Sequence, residues 1–112
     1  MILWHNPRCT KSRQTLALLQ ENGVEPTIRL YLQDPPDASE IRAVLAKLDI
    51  APIQMMRVKE KAFKEAGLSR DSDDDTLIAA MAETPILIER PIAITDTRAA
   101  IGRPPEDVLA LL

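Results

Sequence analysis

The sequence predicts an α/β domain, and three observations carry that reading. Two β-forming runs bracket a helix-forming stretch in the first third of the chain, the middle is helix-forming, and short β-like pieces followed by a proline-started helix close it. The 112 residues allow one buried core, so a single domain over 1–112 is expected, with a helical insert at about 37–84. Apolar residues make up 46 % and charged residues 28 %, the balance of an ordinary globular domain rather than of a disordered chain or a disulfide scaffold.

Ile2 to His5 is a short apolar run of strand formers, and Asn6-Pro7 ends it because proline cannot donate to a central ladder. From Thr10 the chain has a hydroxyl for capping, good helix formers, and Gly23 just beyond the end, which predicts a helix with Leu16 and Leu19 turned inward. Thr27 to Leu32 is β-rich and stops before Asp34-Pro35-Pro36, completing a strand, helix, strand unit with a parallel pair and a right-handed crossover. After Asp37, the residues Ile41, Val44, Leu45 and Leu48 fall at i, i+3, i+4 and i+7 on one helical face. Gln54 to Ala66 predicts a further helix closed by Gly67, and Thr76 to Glu83 predicts another, capped by the acidic run Asp73-Asp74-Asp75. Leu87-Ile88, Ile92 to Thr95 and Ala99 to Ile101 are β-like and suit a terminal hairpin, and Pro105 begins a last helix through Val108 and Leu111. The order β-α-β, helices, β-β-α is that of a thioredoxin-like fold with a mixed four-stranded sheet.

Composition also narrows the function. A net charge of -3 removes the basic footprint of a nucleic-acid binder, and no run of eighteen apolar residues suggests a membrane span. The first residues lack the basic and apolar regions of a secretory leader, so a cytoplasmic protein is expected. The single cysteine, Cys9, and the single histidine, His5, are too few soft ligands for a structural zinc site, and no metal is expected.

Cys9 stands just ahead of the first predicted helix, where free N–H groups and the positive end of the helix dipole lower a thiol pKa. Arg8, Lys11 and Arg13 crowd it with positive charge. A small buried apolar filler is the bland alternative for a free cysteine. Ser12 occupies the second position of a Cys-x-x-Cys frame, which excludes an internal dithiol; its hydroxyl either donates to the thiolate or, like that of Thr10, caps the helix. His5, at the strand end, is either a partner cation for the thiolate or an ordinary strand-end residue. Arg57, Arg90 and Arg103 are far apart, and each alone reads as a solvated surface residue. Arg90 precedes Pro91 and Arg103 lies in Gly102-Arg103-Pro104-Pro105, rigid settings that hold a guanidinium still for a tetrahedral oxyanion.

His5-Asn6-Pro7-Arg8-Cys9-Thr10-Lys11-Ser12-Arg13 resembles the active-site loop of the glutaredoxin-coupled arsenate reductases. Asn22 to Pro26, Leu30 to Leu32, Met56-Arg57, Pro85 to Ile92 and Gly102 to Pro105 resemble that family's blocks in the same order, so the likeness covers essentially the whole chain. The resemblance implies that Cys9 attacks arsenate, that Arg57, Arg90 and Arg103 hold the oxyanion, that His5 helps keep the thiol ionised and that Ser12 assists through its hydroxyl. It also implies that glutathione acts as co-substrate, forming a mixed disulfide as arsenite leaves, that glutaredoxin restores the thiol, and that no cofactor is bound. Arg8 and Thr10-Lys11 replace smaller residues of the resistance enzymes, and the chain ends before their C-terminal extension, which places the likeness with the short housekeeping branch. Convergence of the three arginines on Cys9 and a cis peptide at Arg90–Pro91 are further expectations.

Two other functions fit the same residues. One is a thiol-transfer enzyme acting on another oxyanion or on a glutathionylated protein. The other is a non-enzymatic stress regulator of this fold that binds RNA polymerase, against which the missing second cysteine of a redox switch counts. Three arginines together favour oxyanion chemistry, since a charged anion beside a thiolate needs cations to suppress repulsion and neutralise charge during attack.

Overall fold

Strand β1 (Ile2–Trp4) lies at the centre of a four-stranded sheet in the order β2-β1-β3-β4, seen in a computed structural model that describes residues 1–112. β2 (Thr27–Arg29) pairs with β1 in parallel, while β3 (Ile92–Ile94) pairs with it antiparallel and forms a hairpin with β4 (Ala99–Ile101). This is the mixed sheet expected of the thioredoxin-like order. The chain divides into two compact units, Met1–Asp34 with Arg90–Leu112, and Pro35–Glu89.

In the first unit, helix α1 (Thr10–Glu21) connects β1 to β2 and packs with the closing 3-10 segment Pro105–Leu111. Because strand side chains alternate, Leu3 and Ala93 share one sheet face and meet Leu19, Val108 and Leu111 in a buried cluster. Each of the leucine and valine side chains contributes about 1.5–3 kcal/mol by leaving water, and the Ala93 methyl less. The alternate positions Trp4, Ile92 and Ile94 are buried on the opposite face.

The second unit is built from α2 (Ala38–Leu48), α3 (Lys61–Glu65) and α4 (Asp74–Glu83) with two short 3-10 turns, Pro52–Met55 and Pro85–Leu87. Asp37 caps α2 through a capping box, its Oδ1 accepting from the Glu40 N–H at 2.8 Å while Glu40 Oε1 accepts from the Asp37 N–H at 3.2 Å. The stripe Ile41, Val44 and Leu45 is buried as the periodicity predicts, and Asp73 caps α4 by accepting from Thr76 N–H at 2.8 Å. No helix is long and apolar enough to cross a membrane.

Several expected elements are corrected. β2 stops at Arg29 rather than Leu32, because the N–H groups of Gln33 and Asp34 turn back to the Leu30 carbonyl at 3.0 and 2.9 Å. The helix expected over Gln54 to Ala66 is broken. Arg57 N–H donates to Leu87 O at 2.7 Å and Glu89 N–H to Met55 O at 2.8 Å, so Met56 lies extended opposite Ile88 and only Lys61–Glu65 is helical. Tertiary hydrogen bonds there outweigh a weak helical propensity. Leu87-Ile88 is accordingly a 3-10 turn and a single bridge, not a strand, and the last helix is of the 3-10 kind. Leu19 is fully buried but Leu16 only partly, since Ser12 and Thr15 complete the inward stripe of α1.

Gly102 sets how closely the β4 end approaches α1. A Cβ there would come 2.5 Å from Thr15 Oγ1 and 2.8 Å from Pro91 Cγ, while the Gly102 N–H already donates to Pro91 O at 2.9 Å. Gly102→Ala is therefore expected to cost about 1–3 kcal/mol through overpacking, read as a lowered denaturant midpoint. Thr15→Ala in the same chain should recover part of that loss; no recovery would show that the close approach to α1 is not the constraint.

Candidate active site

The loop between β1 and α1 is held by its own backbone and two side chains. Cys9 N–H donates to Asn6 O at 3.0 Å, Arg8 N–H to Asn6 Oδ1 at 3.0 Å, and Arg13 N–H to Cys9 O at 3.0 Å. The Arg13 guanidinium clamps the loop from the first helical turn, Nη1 donating to Pro7 O at 2.9 Å and Nη2 to Thr10 Oγ1 at 3.2 Å. Cys9 is the N-cap residue of α1 and has no side-chain cap bond, so its sulfur stands where the first amides of the helix are unsatisfied.

Neither candidate hydroxyl caps the helix. Thr10 accepts from Arg13, and Ser12, fully buried, turns inward to lie 2.7 Å from His5 Nδ1 while accepting from Asn6 N–H at 3.0 Å. What Ser12 presents to Cys9 is its backbone N–H, not its hydroxyl.

Arg90 and Arg103 meet at the sulfur from two turns. Arg103 Nη2 lies 3.7 Å from Cys9 Sγ, and Arg103 Nε donates to Arg90 O at 2.8 Å, which aims one arginine by the backbone of the other. The Arg90 guanidinium acts on the Cys9 sulfur and lowers its pKa, and the fully buried Tyr31 acts on the same guanidinium. Arg90 Nε and Nη1 are buried with no protein partner, leaving donors for an anion. The Arg90–Pro91 peptide is cis as expected, and Arg103–Pro104 is cis as well.

Burial pushes the Cys9 thiol up, but the Ser12 N–H, the hydrogen bond and charge of Arg90, and the Lys11 N–H outweigh it, so the thiol ionises below its ordinary 9.0. Burial also works against the Arg90 cation, yet Cys9 and Tyr31 hold its pKa above the usual arginine value. His5 departs from its expected role as a cation. Burial, with the charge of Arg13, lowers it from 6.5, so a neutral imidazole supports Ser12 at neutral pH instead of facing the thiolate as an ion.

Arg57 belongs to the second unit, where it lies in the extended stretch after Met56 rather than on a helix, its Nε donating to Glu60 Oε2 at 3.1 Å. Tyr31 is a part of the site's support to which sequence reasoning assigned no role, while Arg13, expected only as a nearby cation, is a loop clamp. A tyrosine in a run about to end at Asp-Pro-Pro was one available signal; nothing in the spacing linked it to Arg90. No group of three or more His, Cys, Asp or Glu side chains is placed to hold a metal ion.

Comparison with known proteins now adds to this geometry. The ArsC family pattern matches residues 4–111. The chain belongs to the ArsC family. An arsenate reductase of Neisseria meningitidis is 46 % identical over 112 residues, covering 98 % of this chain and 96 % of that protein. The uncharacterized protein YfgD of Escherichia coli K12 is 48 % identical, covering 98 % and 94 %. The solved arsenate reductase of Vibrio cholerae superposes with a TM-score of 0.94 at 45 % identity, over 99 % of this chain and 96 % of that one. ArsC membership and this superposition agree with the thioredoxin-like fold read from the element order.

The electrostatics predict a thiolate titration, followed by alkylation rate against pH, with its midpoint below 9.0. Arg90→Met removes a donor and a charge that favour the ionised form and leaves burial in place. The midpoint should then move up, and alkylation at neutral pH should slow several-fold; an unmoved midpoint would remove Arg90 from the site. Ser12→Ala should cost about 1–3 kcal/mol by leaving the buried Asn6 N–H and His5 Nδ1 without their partner, measured by chemical denaturation.

Proposed function

We propose that this ArsC-family protein is an arsenate reductase that uses Cys9 as nucleophile and glutathione with glutaredoxin as its source of electrons. The observation that carries the reading is a lowered-pKa thiolate with two arginines at its sulfur, one holding buried, unpartnered N–H donors. The names of the similar proteins from Neisseria and Vibrio support the choice of oxyanion.

The Cys9 thiolate attacks the arsenic of arsenate. A sulfur–arsenic bond forms, an arsenic–oxygen bond breaks, and the departing oxygen takes a proton and leaves as water. Arg90 and Arg103 neutralise the approaching anion and the charge that builds on its oxygens, where fixed donors are worth far more than in water. Ser12 and Lys11 hold the sulfur ionised through backbone N–H groups. Cys9 is the only thiol in the chain, so the electrons must come from outside it. A glutathione thiolate attacks the Cys9 sulfur, a disulfide forms, and the sulfur–arsenic bond breaks with its electron pair passing to arsenic. Two thiols are oxidised as arsenic falls from the +5 to the +3 state, and arsenite departs. Glutaredoxin then exchanges with the mixed disulfide and returns the Cys9 thiol. Arg57 enters as a third anion-binding arginine on the family resemblance alone.

Arsenite release with glutathione and glutaredoxin tests the reading. Cys9→Ser should abolish it, and Arg90→Ala or Arg103→Ala should each lower kcat/KM by about 100- to 1,000-fold, the scale of losing one oxyanion donor. Arg57→Ala should do the same if that residue holds the anion. Efficient turnover with thioredoxin and no glutathione would defeat the glutathione route; no arsenite from any thiol supply would favour thiol transfer on another substrate.

A further inference from the structure

A cavity of about 230 Å³ beside the active-site loop has no part in the chemistry above. It is lined by His5, Asn6, Pro7, Arg8, Leu32 and Gln33, so four of its walls are the residues that lead directly into Cys9. Its lining includes none of Cys9, Arg90 or Arg103. An arsenate that must touch the sulfur is therefore not its occupant.

The donors carried by its lining residues point to a particular chemistry. His5 is buried, the whole residue at 6 % exposure, and its Nδ1 is engaged by Ser12 Oγ at 2.7 Å. Ser12 Oγ accepts from Asn6 N–H and keeps its hydroxyl proton to give to Nδ1, the arrangement in which the ring proton sits on Nε2. No protein acceptor takes that N–H. Arg8 forms no ion pair, and Gln33 adds an amide; no carboxylate lines the space. An imidazole N–H and a guanidinium without a counter-charge recognise a carboxylate. The volume lies below the roughly 300–1,000 Å³ that enclose a drug-sized molecule, so the space takes one end of a small molecule.

We propose that this cavity holds a terminal carboxylate of the glutathione that resolves the Cys9 adduct, with His5 Nε2–H and the Arg8 guanidinium as its donors and Leu32 as its apolar wall. The inference rests on glutathione as the resolving thiol, and it deepens that reading by giving the tripeptide a seat one loop away from the sulfur that it attacks.

The test uses thiol–disulfide exchange, which needs no arsenate. The Cys9 thiolate attacks oxidised glutathione, forming the Cys9–glutathione disulfide and expelling a glutathione thiolate; cystamine reacts by the same step and carries no carboxylate. Leu32→Trp fills the cavity without changing charge, and Arg8→Met removes one donor. Both variants should slow exchange with oxidised glutathione about five- to tenfold, equivalent to about 1–1.4 kcal/mol, and leave exchange with cystamine within about twofold. Equal slowing with both disulfides would show a disturbed thiolate and overturn the proposal. An effect of Arg8→Met alone that vanishes with added salt would show long-range attraction and overturn it as well. Arsenite release measured in parallel separates the two claims: its absence in the wild type sinks the arsenate reading, whereas the exchange rates alone decide the cavity.

Discussion

A sulfur at the mouth of a helix is pulled two ways. Burial raises the Cys9 pKa, and only donors that converge on it reverse the sign: the Ser12 and Lys11 amides from α1 and the Arg90 guanidinium from the turn before β3. Much of the first unit's architecture serves that convergence. β1 delivers the loop, α1 supplies the amides, and the β3–β4 hairpin is bounded by the two turns that carry Arg90 and Arg103.

The supporting residues act by removing freedom. Ser12, buried between His5 and the Asn6 N–H, anchors the first helical turn to the interior, so the amide beside the sulfur cannot drift. Arg13 ties the loop to the helix from outside, and Gly102 lets the end of β4 approach α1 to a distance at which a side chain would clash. A pre-formed arrangement of this kind would spend no binding energy on assembling itself around the proposed oxyanion.

The neutral state of His5 changes the chemical picture more than its position does. As a neutral ring rather than a cation it shares a 2.7 Å hydrogen bond between Nδ1 and Ser12 Oγ and so supports the first helical turn. Exchange of one role for the other follows from burial, which disfavours charge.

Sequence by itself determined the element order, the parallel β1–β2 unit, the capped helices α2 and α4, the terminal hairpin and the placement of Cys9 at a helix start, because these depend on local periodicity, caps and breakers. It also led to the ArsC family through the loop around Cys9. Tertiary structure decided the rest. Long-range backbone bonds from Arg57 and Glu89 broke a helix that local propensity favours, and the Leu30 turn shortened β2. Burial decided the charge of His5 and turned the Ser12 hydroxyl inward, and the meeting of Arg90 and Arg103 at one sulfur, with Tyr31 behind Arg90, came from residues up to 94 positions apart. Spacing along a chain carries no record of such contacts, which form only when the sheet brings separate turns together.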